Sequence, residues 1–209
     1  MSRLFRKRKK KEIEQSLLAL RDEAYELGAS KAAVVDPKEV VVDDRVLYKC
    51  IWSCNRYNRS LMCPPYTPKP EDARKLFSQY RYALLVRKKG RPEDFAGTDA
   101  REENRYGLHA EDLRKLMLKL ESSAFYKGYY LALSLIGGCC KICHLDGTCE
   151  GIEEGICRHP FESRPSMESL GIDVLATLDN LGWKVQVVGR ETEPEEIEEV
   201  GYVGLLLVC

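Results

Sequence analysis

The sequence predicts an α/β fold: a single-domain α/β sandwich with a mixed or parallel sheet and two cysteine-rich metal-binding loops. Three observations predict it. Segments whose apolar residues recur at helical spacing alternate with short apolar runs, the pattern of helices packed on a sheet. The helical segments end at glycines. The regular alternation is broken by two windows crowded with cysteine, proline or glycine, which read as loops.

Each element follows from its own pattern. Residues 12–28 read as an amphipathic helix, with Ile13, Leu17, Leu20, Ala24 and Leu27 on one stripe and Gly28 as its stop. Lys31 to Val35 reads as a short buried strand, and Val40 to Lys49 as a strand or an extended lead-in. Four prolines between Pro64 and Pro70 make that stretch a loop. Glu71 to Tyr80 reads as a helix and Tyr82 to Val86 as a strand. Gly90 to Gly97 is a polar loop, and Asp99 with Glu102 three residues on resembles a helix-starting cap. Leu113, Leu116, Met117, Leu120 and Ala124 form one apolar helical stripe, which is core. Tyr129 to Leu135 reads as a strand leading to Gly137-Gly138. Met167, Leu170, Val174, Leu178 and Leu181 mark a further helix stopped by Gly182. Lys184 to Val188 and Val203 to Val208 read as strands, separated by a Glu-rich exposed turn or short helix over 191–199. No internal repeat has a fixed period.

Composition narrows the class. At 209 residues, 44% hydrophobic and 32% charged, the chain suits one domain with a proper core and excludes a disordered, collagenous or coiled-coil protein. No apolar stretch is long enough to span a bilayer, and the N-terminus lacks the apolar region of a secretory signal, so no membrane insertion and a cytoplasmic location are expected. Net charge is zero, yet residues 1–11 carry seven Lys and Arg and no acid. They form a basic N-terminal arm ahead of a single cysteine-rich metal-binding α/β domain over 12–209. The arm is a solvated terminus, or a weak, salt-sensitive contact for nucleic acid or another acidic surface.

Nine cysteines carry the chemistry, and all but Cys209 lie in the two windows. A disulfide framework is not expected in a reducing compartment, and an odd count cannot pair completely. The second window reads C-x2-C-x5-C-x7-C over Cys140, Cys143, Cys149 and Cys157. A C-x2-C turn aims two thiolates at one centre, and Gly147, Gly151 and Gly155 let the backbone wrap close enough to offer amides to sulfur. Structural zinc often uses two such knuckles and only one is present, whereas an iron–sulfur cube accepts wider and less regular spacings. The expected cofactor is therefore an iron–sulfur cluster, [4Fe-4S], with zinc as the alternative. Lys141, Arg158 and Arg164 would offset the negative charge of the centre, as would the positive end of a helix starting near Ser166.

The first window gives Cys50, Cys54 and Cys63 as C-x3-C-x8-C, with Pro64 and Pro65 following. Three thiols lack one ligand for a four-coordinate centre. Cys139, adjacent to Cys140, is the candidate to complete it, because neighbouring residues seldom ligate one cluster and two-cluster ferredoxins share ligands between sites. His109 and His144 are weaker candidates. A second cluster, or an open corner for substrate, follows if this window binds metal; buried free thiols are the alternative.

The stretches CNRYNRSLMCPPYTPKPEDARKLFSQYRYALLV and CKICHLDGTCEGIEEGICRHPFESRPSMESLGIDV resemble the predicted metal-binding proteins grouped as domain of unknown function 2284, over roughly residues 30–190. The resemblance is specific in CPPY, CRHP and RPSMESLGID taken together. It implies metal binding, iron–sulfur in kind, with Cys50, Cys54 and Cys63 as one cysteine set and Cys140, Cys143, Cys149 and Cys157 as the other. The Cys143–Cys149 spacing is longer than the family pattern, and Cys139 is an addition to it. No phosphate loop, H-E-x-x-H or nucleophile elbow is present. The expectation is an iron–sulfur redox or electron-transfer module with a redox protein partner, or an iron–sulfur-dependent redox enzyme. The alternative is a zinc module that is structural or senses metal.

Overall fold

The computed structural model describes residues 8–103, 105–143, 148–184, 186–189 and 191–209. Four strands form one sheet: β1 (Lys31–Val35), β2 (Ala83–Lys89), β3 (Leu133–Leu135) and β4 (Gly201–Leu207). Their order is β1-β2-β4-β3, and every neighbouring pair is antiparallel. The expected mixed or parallel sheet is thus corrected to an antiparallel one. The reason is the place of β4. Strands β2 and β3 run in the same direction and are joined through a helix, as in a parallel crossover, but β4 inserts between them and opposes both.

Among the described residues there are six helices: α1 (Lys10–Glu26), α2 (Asp44–Ser53), α3 (Pro70–Phe77), α4 (Thr98–Glu102), α5 (Tyr106–Tyr126) and α6 (Val174–Asn180). Alternation along β2 divides the core. Leu84 and Val86 join Leu17 and Leu20 of α1 and Leu113, Met117 and Leu120 of α5 on one face. Ala83 and Leu85 join Phe77 of α3, Met167, Ile172 and Leu178 on the other. Packed on both faces, Leu84, Leu85 and Val86 are wholly buried. The apolar stripe from Leu113 to Ala124 is core, as its period requires.

Several local readings change. Val40 to Lys49 is not a strand. Val42 makes an isolated bridge to Ile172, and α2 begins at Asp44, with the Asp43 carboxylate accepting from the Arg45 amide at 2.8 Å. The helix expected from Met167 to Leu181 is two pieces, a 3-10 turn Glu168–Leu170 and α6. Gly171 separates them at φ +81°, and the Asp173 side chain accepts from Ala176 to restart the helix. The helix expected to start near Ser166 is therefore only the short 3-10 turn from Glu168. Strand β3 is three residues rather than seven. The described residues of 184–189 join no strand; Lys184, Gln186, Val187 and Val188 line a pocket instead. The Glu-rich segment holds a 3-10 turn, Pro194–Glu196.

Residues 1–7 of the basic arm lie outside the described set. Its end is anchored: Arg8 donates to the Lys127 carbonyl, and its guanidinium lies 4.2 Å from the centre of the Tyr129 ring. Among the described residues, no helix is long and apolar enough to cross a membrane.

Candidate metal centre

Both cysteine windows meet at one end of the sheet. Cys50 sits in the last turn of α2 and Cys54 caps that helix. The chain then folds through short turns, with Tyr57 donating to the Cys54 carbonyl at 3.2 Å and Asn58 to the Pro64 carbonyl at 2.9 Å. These turns bring Cys63 back, 6% exposed. The second window leaves β3 through Gly137-Gly138. Ile136 donates to the Pro165 carbonyl at 3.0 Å, and Met167 donates to Ile136 at 2.9 Å, clamping the two ends of the loop together. The windows are also tied to each other, because the Cys149 amide donates to the Arg59 carbonyl at 2.9 Å.

All nine cysteines are free. Their mutual electrostatics link eight of them, most strongly around Cys63 and around Cys140, with Cys140 also acting on Cys63. Burial pushes the Cys63 thiol up to about 12, and Cys139, Cys54, Cys50 and Cys140 add to the shift in that order. Cys50 rises to about 11 through burial, then Cys54 and then Glu168. Burial also raises Cys139, against the opposing pull of Arg56 and Lys141. Cys139 therefore lies near Cys63 and Cys54.

Around Cys140 are Cys143, Cys149 and Cys157. Burial raises Cys140 to about 11, with further contributions from Cys143 and Cys157. Cys143 is raised by burial first and is hydrogen-bonded to Cys149. Cys157 Sγ lies 3.1 Å from the Ser163 hydroxyl. Amides point at these sulfurs: Ile142 donates to Cys140, Glu150 to Cys143, and His159 to Cys157 at 3.4 Å. Thiols that repel one another's ionisation, beside donors that stabilise thiolate, form a donor set suited to a metal–thiolate centre.

Glycine makes the second loop possible. A Cβ on Gly151 would lie 1.8 Å from the Ile156 carbonyl oxygen, so the 151–156 turn closes only without a side chain. On the β3 side, Arg164 pairs with Glu121, which also accepts from the Ser134 amide at 2.8 Å. The buried Arg114 side chain donates to the Glu162 carbonyl at 3.2 Å. These contacts hold 160–164 against α5 and keep Cys157 near Cys140.

Of the basic residues expected to offset the thiolates, Lys141 acts on one, at Cys139. Arg158 is engaged by Glu154 and Arg164 by Glu121. The positive charges that favour the thiolates are Arg56 and Lys141 at Cys139, and Arg114 at Cys140. Arg56 and Arg114 lie far from the second window in sequence, so spacing gave no sign of them. His109 is turned away: its Nε2 lies 2.8 Å from the Asp94 carboxylate, which Arg91 also holds. His144 lies outside the described residues. Cys209 stands apart against the α1/α5 core.

Two features were not read from the sequence. Cys143, Glu150 and His159 bring one donor atom each within 4.8 Å of the others, a mixed sulfur, oxygen and nitrogen set. His159 follows Cys157 by two residues, and Glu150 follows Cys149 directly; their nearness to cysteine was the available signal. Glu168, in the RPSMESLGID segment, reaches toward Cys50, and burial pushes its carboxyl above the usual range.

The family model for predicted metal-binding protein (DUF2284) matches residues 33–208. No curated protein and no solved structure matches the chain. The match spans both cysteine windows and all four strands but the first two residues of β1, and the chain belongs to the DUF2284 family of predicted metal-binding proteins.

Proposed function

We propose that the protein is an iron–sulfur protein that moves electrons, as a redox module or as the redox half of an enzyme. One observation carries the reading. Cys63 lies within electrostatic reach of Cys139, Cys54, Cys50 and, last, Cys140, whereas Cys140 is influenced by Cys143 and Cys157, and Cys143 is hydrogen-bonded to Cys149. Two four-thiol sets suit two [4Fe-4S] centres, with adjacent residues serving different sites. A bound cluster would supply one-electron chemistry at a potential set by charge, exposure and hydrogen bonds to sulfur. The chain's contribution is to fix those three: the amides of Ile142, Glu150 and His159 at the second set, and Arg56 and Lys141 beside Cys139. Cys54 is exposed, which leaves the first set within reach of a redox partner. Nine free thiols suit a reducing compartment such as the cytoplasm.

A second reading is zinc at the second window. The Cys143, Glu150 and His159 group favours it, because zinc accepts sulfur, nitrogen and carboxylate donors together. The test is to count iron, zinc and acid-labile sulfide per chain in protein made without oxygen, in the parent, in C50S/C54S and in C140S/C143S. Each pair of substitutions should remove about half of the iron and sulfide. An unchanged iron count in C50S/C54S would leave a single site in the second window. Zinc without sulfide, lost in C140S/C143S, would establish the second reading.

A further inference from the structure

A pocket of about 700 Å³ opens beside the first cysteine set. It is walled by α2 through Val46, Cys50 and Cys54, by α6 through Leu175 and Leu178, and by the start of β4 through Val203. The volume is in the range of small-molecule sites, and the lining is mainly apolar. Its charged groups are mostly engaged. Arg87, 4% exposed at the side chain, lies 3.2 Å from Glu199 and donates to the Lys184 carbonyl at 3.1 Å. Asp173 accepts from Ala176 as the cap of α6, and Lys184 pairs with Glu198.

The exceptions are Lys49, which is exposed, and Glu168. The Glu168 carboxyl accepts from the Gly138 amide, the Ser166 hydroxyl and its own amide, yet Oε2 is buried without a partner among the described residues. A buried acceptor left unmet costs about 1–3 kcal/mol, and such atoms recur where a ligand or water completes the set. The final torsion of a glutamate is broad, so a modest turn presents Oε2 to the pocket that Glu168 lines.

We propose that this pocket binds a compact, mainly hydrocarbon molecule bearing one alcohol or amine group, with that group donating to Glu168 Oε2 and the hydrocarbon body packed against Val46, Leu178 and Val203. The bound molecule lies against Cys50 and Cys54, so it sits where the proposed first centre exchanges electrons. Binding itself depends only on the apolar walls and on Glu168, and it stands whichever metal the thiols hold.

The test uses toluene, benzyl alcohol and benzylamine as probes, followed by ligand-observed NMR on the full chain as purified without oxygen. Metal content is measured in each sample, so loss of metal and loss of probe binding are read separately. In the parent, benzyl alcohol or benzylamine should bind at least about tenfold more tightly than toluene, the effect of one well-made buried hydrogen bond. Glu168→Gln should bring that preference below about threefold and leave toluene unchanged. Leu175→Trp, at a wall residue 47% exposed, should abolish binding of all three. Val187→Trp, at a lining residue 68% exposed in the 184–188 segment, serves as an independent block. Toluene binding as tightly as both donors, an unchanged preference in Glu168→Gln, binding that survives both tryptophans, or no binding by any probe would each overturn the proposal.

Discussion

Replacing Gly151 by alanine places a methyl group against the chain that carries Cys157. The new Cβ would stand 1.8 Å from the Ile156 carbonyl oxygen and 2.8 Å from its carbon, both backbone atoms with no side-chain freedom to yield. Reaching even a 3.0 Å contact moves one strand of the turn by about 1.2 Å, and it disrupts the 3.1 Å hydrogen bond from the Ile156 amide to the Gly151 carbonyl. Overpacking of this size costs about 1–3 kcal/mol. The cost falls on the closed loop, so it lowers metal affinity by roughly five- to 150-fold. Metal per chain, measured against a competing chelator, should fall at the second set while the first set keeps its share. Gly155→Ala is the control. Gly155 has φ +67° but no atom within 4 Å of a new Cβ, so only modest backbone strain is expected, about 1 kcal/mol. Parent-level metal retention in Gly151→Ala would refute the argument that closure of this turn positions Cys157.

Three further outcomes follow from the same contacts. Arg164→Met leaves the Glu121 carboxylate, 16% exposed, without its cationic partner and should destabilise the fold by about 2–4 kcal/mol in chemical denaturation. Metal-free protein should lose stability as pH rises from about 9 toward 12. Cys50, Cys63 and Cys140 titrate at about 11 to 12 when folded and near 9 when unfolded, so the unfolded chain releases protons first; thermal unfolding across that window reads the slope, and a flat profile would contradict it. Cys149→Ser should lower metal content far more than Cys209→Ser, because Cys149 is buried in the second set and Cys209 lies against the α1/α5 core; equal losses would show a role for Cys209.

Much of the fold was legible because it is local. The stripe from Leu113 to Ala124 has one period and one face, and it packs where that period requires. The first four residues of β2, Ala83 to Val86, are a continuous apolar run and lie buried on both sides. Sheet direction was not legible, since it depends on β4, more than a hundred residues beyond β2, entering between β2 and β3. At Val40 to Lys49 the β-branched run suggested a strand, but the Asp43 cap starts a helix inside it, and that cap was the better signal. The described residues of 184–188 have no strand partner, because β4 takes the place beside β2, and Lys184, Gln186, Val187 and Val188 line the pocket.

The site divides in the same way. The cysteine spacings marked both windows, which the fold brings together through the Cys149–Arg59 hydrogen bond. Which thiols lie together depends on the bend at Gly137-Gly138 that leads into Cys139 and Cys140, and only the folded chain displays it. The helpers Arg56, Arg114 and Glu168 come from other segments, brought in by α2, α5 and the 3-10 turn before Gly171. Their residue types are common, and their spacing from the cysteines follows no motif.

The most direct test of the central claim is the iron and acid-labile sulfide content of the protein purified without oxygen. The account predicts a brown protein with iron and sulfide in equal amounts, whose visible absorption bleaches on reduction. Stoichiometric zinc with no sulfide, in a colourless protein, would contradict it.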